Sequence, residues 1–186
     1  QADTDQAALL LPGRGVLVNG TKGRVRDLVT KESFGDVELE MEFCIPQRSN
    51  SGVKFQSLYE IQILDSYGKK ELTGDDCGGI YPRAELLPKY TYLDKGIAPR
   101  TNACKEPGQW QKLHAIFLAP RFDAEGKKVG NARLVKVVLN DVVIHENVEV
   151  TGPTRAATFE NDEKPIGPLM IQGDHGPVAY RNIQLL

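Results

Sequence analysis

The chain has 186 residues, of which 40% are hydrophobic and 26% are charged, as in a globular protein with a single core. Its 23 basic residues nearly balance its 25 acidic ones, and the formal net charge of −2 argues against a nucleic-acid-binding protein. The longest apolar run, residues 7–11, is far too short to span a bilayer.

The N-terminal residues indicate where the protein works. The chain opens Gln1-Ala2-Asp3 without an initiator methionine, as a mature protein does after its leader is removed, although a trimmed chain would look the same. We therefore expect a secreted or periplasmic protein. Residues 1–12 are expected to be a disordered segment ahead of the fold.

Clear strand patterns begin at residue 35. Residues 35–45 alternate, with Val37, Leu39 and Met41 on one face and glutamates on the other, which predicts a long strand with one buried face. Asn140-Asp141 indicates a tight hairpin, because both residues tolerate a positive φ. Further strands are expected, in chain order, at 53–57, 59–65, 110–118, 133–139, 142–145, 169–172 and 178–186.

Residues 59–65 (YEIQILD) place polar groups on an otherwise apolar strand. Glu60 and Gln62 share one face, and a bulge at the strand end would turn the carboxylate of Asp65 onto the same face. Two carboxylates and an amide that converge on a sheet are suited to acid–base chemistry on a polar ligand such as a sugar. An edge strand with one wet face would show the same pattern.

Residues 66–108 are rich in Gly, Pro, Asp and Lys, and we interpret them as a long loop insertion that crosses one face of the fold. Paired glycines just before Tyr81 would let the backbone approach a ligand closely. Cys77 and Cys104 flank part of the insertion, and a disulfide between them would suit an oxidising compartment. The cysteine spacing matches no zinc motif.

Residues 172–176 (QGDHG) form a second informative cluster. His175 lies between glycines beside Asp174, in the expected turn between the last two strands. As a neutral imidazole His175 could act as a base, with Asp174 fixing its tautomer, and a purely structural turn histidine is the alternative. His114 and His145 lie in strand patterns, so we interpret both as structural.

The spacing of these elements predicts the fold class. Eight or more short strands with turn residues between them favour an all-β fold, a two-sheet antiparallel sandwich or jelly roll. No segment keeps a 3.6-residue apolar period, so little helix is expected. We expect one domain over residues 1–186, with Trp110 as a core anchor.

Several motifs, in this order, resemble those of a known family. The chain resembles the 3-keto-disaccharide hydrolase domain of secreted bacterial proteins from about residue 13 to the C-terminus. The resemblance implies a concanavalin-like jelly roll whose ligand lies on the concave sheet, and action on sugars oxidised at C3. The chain departs from the family in lacking an early Trp-containing segment and in its longer insertion. The segments that carry the resemblance are NSG (50–52), YEIQILDS (59–66), GIY (79–81), PGQW (107–110) and QGDHGPVAYRNIQL (172–185).

The resemblance implies a reaction that depends on the ketone at C3 of the sugar. A ketone at C3 acidifies the C2 proton, so a base can remove it and expel the C1 substituent, and water then completes net hydrolysis. Under this hypothesis His175 or Asp65 is the base, and Glu60 is the acid or its orienting partner. No spacing requires a cofactor, although carboxylate and histidine would suit a divalent metal ion. The candidates for holding the sugar or its enolate oxygen are Asn50, Gln62, Tyr81, Gln172, Asp174 and Arg181.

Two alternatives remain open, and both also have a carbohydrate as the partner. A laminarinase-type retaining glycosidase would share the fold, but its E-x-D-x-x-E triplet reads E-I-Q-I-L-D at residues 60–65, with Gln62 replacing the middle carboxylate. A non-catalytic carbohydrate-binding module would need exposed aromatic side chains. Four tyrosines could supply them, namely Tyr67, Tyr81, Tyr90 and Tyr92. The oligomeric state is not indicated by any pattern.

Overall fold

The computed structural model describes residues 15–85, 88–154 and 163–186, and every regular element in these ranges is a β-strand. The same ranges contain no helix long and apolar enough to cross a membrane. The expected disorder of residues 1–12 lies outside the described residues. The strands are β1 (Val16–Val18), β2 (Leu28–Phe34), β3 (Val37–Cys44), β4 (Asn50–Phe55), β5 (Tyr59–Leu64), β6 (Ala84–Glu85), β7 (Thr91–Tyr92), β8 (Gln111–Leu118), β9 (Arg121–Phe122), β10 (Lys128–Gly130), β11 (Ala132–Leu139), β12 (Val142–Val150), β13 (Gly167–Ile171) and β14 (Ala179–Leu185).

The strands form two main antiparallel sheets. One sheet has six strands in the order β1-β14-β3-β8-β11-β12, and the other has four in the order β2-β13-β4-β5. Two short ribbons, β6–β7 and β9–β10, stand apart from them. The predicted all-β, two-sheet antiparallel jelly roll of concanavalin-like type is therefore confirmed.

Period-2 alternation builds the core between the two sheets. Along β3, residues alternate between buried and partly exposed, as the sequence predicts, and Leu39 and Met41 are almost completely buried. Phe55 of β4 stacks on Phe117 of β8 with ring centroids 4.8 Å apart, so the contact joins the two sheets. Aromatic stacking of this kind fixes the distance between the sheets as well as burying apolar area.

Two hairpins fix the register of their strands. Asn140 and Asp141 join β11 to β12 with φ values of 51° and 66°, which confirms the predicted turn. The β4–β5 hairpin turns at Gln56 and Ser57, whose φ values are also positive. Its register pairs Phe55 with Tyr59 and runs without a shift to the far end of both strands. The residues of β5 therefore have defined partners on β4.

The sequence suggested that the 66–108 insertion crosses one face of the fold. Part of it instead lengthens the four-stranded sheet. Gly78 donates its N–H to the carbonyl of Gln62 at 2.8 Å, and Tyr81 donates to the carbonyl of Glu60 at 3.2 Å. Ile80 bridges both Ile61 and Ile97. The segment follows the free edge of β5, and its glycines at 78 and 79 pack against other parts of the fold, since a Cβ there would lie 2.3 Å from Ile144 and 2.4 Å from the carbonyl of Gly74.

The predicted disulfide is absent, because all three cysteines are free. Cys77 and Cys104 are buried side by side, and their thiols hydrogen-bond each other. That bond, helped by the Gln111 amide 3.4 Å from the Cys104 sulfur, lowers the pKa of Cys104. The same bond raises the pKa of Cys77. The two cysteines thus meet as predicted, but as a pair of thiols.

Candidate functional site

The outer face of the four-stranded sheet, which points away from the core, is polar and yet buried. Lys54 lies opposite Glu60 on this face, and Gly52 lies opposite Gln62. Lys54, Glu60 and Gln62 are each at most 3% exposed. The ammonium nitrogen of Lys54 lies 3.7 Å from Oε2 of Glu60. Buried charges are costly unless they face an opposite charge, so this pair is an unusual feature for the surface of a sheet.

Two buried oxygens on the outer face have no partner among the residues that the structure describes. Oδ1 of Asn50 and Oε1 of Gln62 have no hydrogen-bond partner within the described ranges. An unsatisfied buried polar atom costs about 1–3 kcal/mol, and such atoms are rare in native proteins unless they serve a purpose. A ligand rich in hydroxyl groups would supply the missing donors.

A glycine and a threonine position Glu60. A Cβ atom at position 52 would lie 2.2 Å from Oε1 of Glu60, so only glycine leaves room for the carboxylate there. The backbone N–H of Glu60 donates to Oγ1 of Thr154 at 2.7 Å, and this hydroxyl donates in turn to the carbonyl of Leu58 at 3.0 Å. Thr154 therefore holds the backbone of Glu60, and Gly52 leaves room for its carboxylate.

Tyr81 lies beside Glu60 at the edge of the outer face. Ile80 belongs to the core, so alternation turns Tyr81 toward the side on which Glu60 lies. Its hydroxyl is 3.1 Å from the hydroxyl of Tyr92, and Tyr92 meets Tyr90 edge to face with ring centroids 5.3 Å apart. The three rings form a wall at this edge, and the binding role of Tyr81 stays a prediction.

The QGDHG turn lies at the other end of the outer face. Gln172 donates its N–H to the carbonyl of Gly52 at 2.9 Å, and Gly176 packs directly against the backbone at Asn50. His175 is about one-third exposed, and its Nδ1 is hydrogen-bonded to the carboxylate of Asp174. The structure thus groups these residues with Asn50, four residues along β4 from Lys54, which is roughly 13 Å.

Asp65 does not join Glu60. The β4–β5 pairing is regular to Leu64, so the bulge that would have turned the carboxylate is absent. Oδ2 of Asp65 instead accepts the backbone N–H of Arg48 at 2.9 Å. Arg48 has a φ of 62°, which is typical of a tight turn, and this turn presents the N–H to the carboxylate. Asp65 therefore closes the turn before β4, and the prediction that it is a base is not supported by its position.

Arg181 lies on the opposite side of the sandwich. It belongs to β14, where Tyr180 points into the core, so Arg181 points outward from the six-stranded sheet. There it forms an ion pair with Glu42 and lies 4.0 Å from the ring centre of Trp110. Hydrogen bonds from Asn182 and Arg181 lower the pKa of Glu42. Neither a ligand role for Arg181 at the outer face nor a core role for Trp110 is therefore supported.

Comparison with known proteins identifies the family. A family model described as the 3-keto-alpha-glucoside-1,2-lyase-like domain matches residues 9–186. The chain belongs to this family. The resemblance inferred from the motifs is thereby confirmed.

Solved structures agree on the fold of the lyase-like domain. A candidate glycosyl hydrolase from Parabacteroides distasonis ATCC 8503 is similar at 26% identity and a TM-score of 0.71, over 91% of this chain and 70% of that one. A second candidate glycosyl hydrolase from the same bacterium has 21% identity and a TM-score of 0.61, over 94% of this chain and 87% of that one. No curated protein matches the chain.

Sequence reasoning missed Lys54 in this lyase-like domain. A lysine between Val53 and Phe55 reads as a solvent-facing strand position, and only the hairpin register shows that it faces Glu60. The signal was present, since a short turn between two predicted strands limits the register to a few choices. The role of Gly52 was missed because it depends on the same register, and that of Thr154 because it depends on a contact between segments distant in sequence.

Within the described residues, no group of three or more His, Cys, Asp or Glu side chains is close enough to hold a metal ion. Glu60 and His175, whose residue types would suit a metal, lie toward opposite ends of the outer face.

Proposed function

We propose that this domain is a carbohydrate-active enzyme that cleaves 3-keto-glycosides by elimination followed by hydration. The observation that carries the proposal is the buried Lys54–Glu60 pair beside the unpartnered oxygens of Asn50 and Gln62. A charged acid–base pair next to oxygens that lack donors is what a reactive sugar with several hydroxyl groups requires. Family membership supports the choice of a keto sugar as substrate.

The reaction balances without an external oxidant or reductant. Removal of the C2 proton leaves an enolate whose negative charge lies on the C3 oxygen. When the C3 carbonyl re-forms, a C1–C2 double bond forms and the bond from C1 to the leaving oxygen breaks. That oxygen takes a proton and departs as an alcohol. Water then adds across the double bond, with its hydroxyl going to C1 and its proton to C2, which gives the free 3-keto sugar.

Each group on the outer face has a role in this scheme. Glu60 takes the C2 proton and returns it to the departing C1 oxygen, which needs only one carboxylate. The ammonium group of Lys54 donates a hydrogen bond to the C3 oxygen and stabilises the enolate. Asn50 and Gln62 accept hydrogen bonds from sugar hydroxyls. His175, oriented by Asp174, binds the sugar at the far end of the face.

A retaining glycosidase fits the geometry less well. That mechanism needs two carboxyl groups about 5–5.5 Å apart on either side of one bond. Asp65 was the predicted partner of Glu60, but its carboxylate closes the turn at Arg48 instead. The outer face offers Glu60 an ammonium partner, which suits enolate stabilisation better than nucleophilic attack.

The test uses maltose oxidised at C3 of its non-reducing ring, with unoxidised maltose in parallel, and follows glucose release. We expect release from the keto sugar alone, and in D2O the product should carry deuterium at C2. Glu60→Gln and the charge-preserving Glu60→Asp should each lower kcat at least 100-fold, because general acid–base catalysis contributes about 10²–10⁴. Asp65→Asn is the matched control, and its kcat should stay within about threefold of wild type.

Four results would contradict the proposal or one of its assignments. Release from unoxidised maltose would favour a glycosidase, and saturable binding of both sugars without any product would favour a binding module. Product without deuterium at C2 would exclude proton removal at that carbon. If His175→Ala lowered kcat more than Glu60→Gln did, the base would be His175 and the role of Glu60 would be secondary.

A further inference from the structure

The tyrosine wall, formed by Tyr81, Tyr90 and Tyr92, is a large aromatic surface that the folding of the core does not require. Tyr90 and Tyr92 are 38% and 50% exposed, and neither belongs to the core. Grouped exposed aromatic side chains on a small protein usually mark a binding surface. This wall continues directly from the catalytic face, because Tyr81 is hydrogen-bonded to the backbone of Glu60.

Hydrogen bonds and an ion pair in the β6–β7 ribbon hold the tyrosine wall in place. Arg83, at the base of the β6–β7 ribbon, is ion-paired with Asp94 at 2.6 Å, and the same carboxylate accepts the backbone N–H of Arg83 at 3.0 Å and of Gly96 at 2.9 Å. The N–H of Leu93 donates to the carbonyl of Arg83 at 2.8 Å. An aromatic surface that is already ordered loses little conformational entropy when a ligand binds to it.

A cavity at the foot of the wall is too small to hold a sugar. It is lined by Tyr81, Arg83 and Asp94 together with Thr154, which also binds the Glu60 backbone, and its volume is about 50 Å³. A cavity of that size holds only a few water molecules. A ring bound here must therefore lie over the exposed faces of the tyrosines and not inside the protein.

We propose that the tyrosine wall is a carbohydrate subsite that stacks the sugar ring attached through C1 of the reacting sugar. The inference rests on the proposed function, because it takes Glu60 to mark the position of the broken bond. The occupant is a second pyranose, whose apolar face of C–H groups packs on tyrosine while its hydroxyls stay in water. The wall then selects disaccharides over simple alkyl glycosides.

The test compares two substrates on three variants. Tyr92→Ala should raise the KM of maltose oxidised at C3 about tenfold, as expected for losing the burial of one ring face, and leave the KM of methyl 3-keto-α-glucoside unchanged. Tyr92→Phe keeps the ring and loses only the hydroxyl contact with Tyr81, so it should raise the KM of maltose oxidised at C3 less than Tyr92→Ala does. Tyr67→Ala is the matched control, because Tyr67 is 52% exposed in the same insertion but bonds Glu106 instead of the wall.

The outcomes separate this inference from the proposed function. An equal rise in KM for both substrates, or no rise for maltose oxidised at C3, would overturn the subsite while leaving the reaction intact. If wild type turns over neither substrate, the proposed function fails, and calorimetric titration with unoxidised maltose then decides the subsite. Binding that Tyr92→Ala weakens about tenfold and Tyr67→Ala does not weaken would support it, and any other pattern would overturn it.

Discussion

Replacing Lys54 with methionine removes the cation that faces Glu60 and keeps the apolar length of the side chain. At the observed separation of 3.7 Å the attraction is worth about 4 kcal/mol with an effective dielectric constant of about 20. Alternatively, the carboxylate of Glu60 takes up a proton in the variant. For an ordinary glutamate, protonation at pH 7 costs about 4 kcal/mol. Both routes predict a loss of about 4 kcal/mol in the free energy of unfolding.

Only the protonation route depends on pH, and the variant takes whichever route costs less free energy. Protonation becomes cheaper as the pH falls, so the loss caused by Lys54→Met should shrink from about 4 kcal/mol at pH 7 to about 1 kcal/mol at pH 5. Urea unfolding at both pH values measures it. The double variant Lys54→Met/Glu60→Gln is the control, because it removes both charges and should recover part of the lost stability.

A small loss would refute this reasoning. If Lys54→Met cost less than about 1 kcal/mol at pH 7, the pair would be as well solvated as an exposed salt bridge. If the loss were large but did not change with pH, the cause would be packing around the methionine instead of the lost attraction between Lys54 and Glu60.

Three further perturbations test individual placements. Gly52→Ala should lower kcat at least tenfold, because the new methyl group would lie 2.2 Å from the Glu60 carboxylate and must displace it. Arg181→Ala should leave kcat unchanged and lower the free energy of unfolding by about 1 kcal/mol, through loss of its ion pair and its contact with Trp110. Burial lowers the pKa of His145 from 6.5, so the unfolded chain takes up a proton first as the pH falls. The free energy of unfolding should therefore fall below pH 6.5, by at most about 1.4 kcal/mol per pH unit, and urea titrations of wild type and His145→Gln between pH 5 and 7.5 should show it.

For each of these three predictions, one outcome would contradict the reasoning. Wild-type turnover by Gly52→Ala would mean that the carboxylate of Glu60 has freedom that the structure does not show. A large loss of kcat in Arg181→Ala would connect the six-stranded sheet to the reaction. An identical pH profile for His145→Gln and wild type would assign the stability change to other groups.

The strands that sequence predicted best are those with one buried and one wet face. β3 alternates without interruption, and the β11–β12 turn has residues suited to positive φ, so both were predictable from local physics. β2 was missed because most of its side chains are exposed, and it is a strand only through its pairing with β13. Such a strand leaves no periodic signal in the sequence.

The candidate site was predictable as far as strand alternation reached. Glu60 and Gln62 share a face, as their spacing required. The prediction failed for Asp65, because the turn at Arg48 decides where that carboxylate points. It failed for Arg181, because the sheet that β14 joins depends on its pairing with β1 and β3, which are distant in sequence. Non-local pairing is not encoded in a window of a few residues.

The segment that follows the edge of β5 also affects how the protein behaves in solution. An uncovered strand edge is a template for pairing with another molecule, and native proteins commonly cover such edges. Ile80 pairs with Ile61 here and is itself paired with Ile97, so the insertion occupies this edge. Deleting the insertion to study substrate selection would therefore uncover an aggregation-prone edge at the same time. Point substitutions in the tyrosine wall are for that reason the cleaner way to separate recognition from solubility.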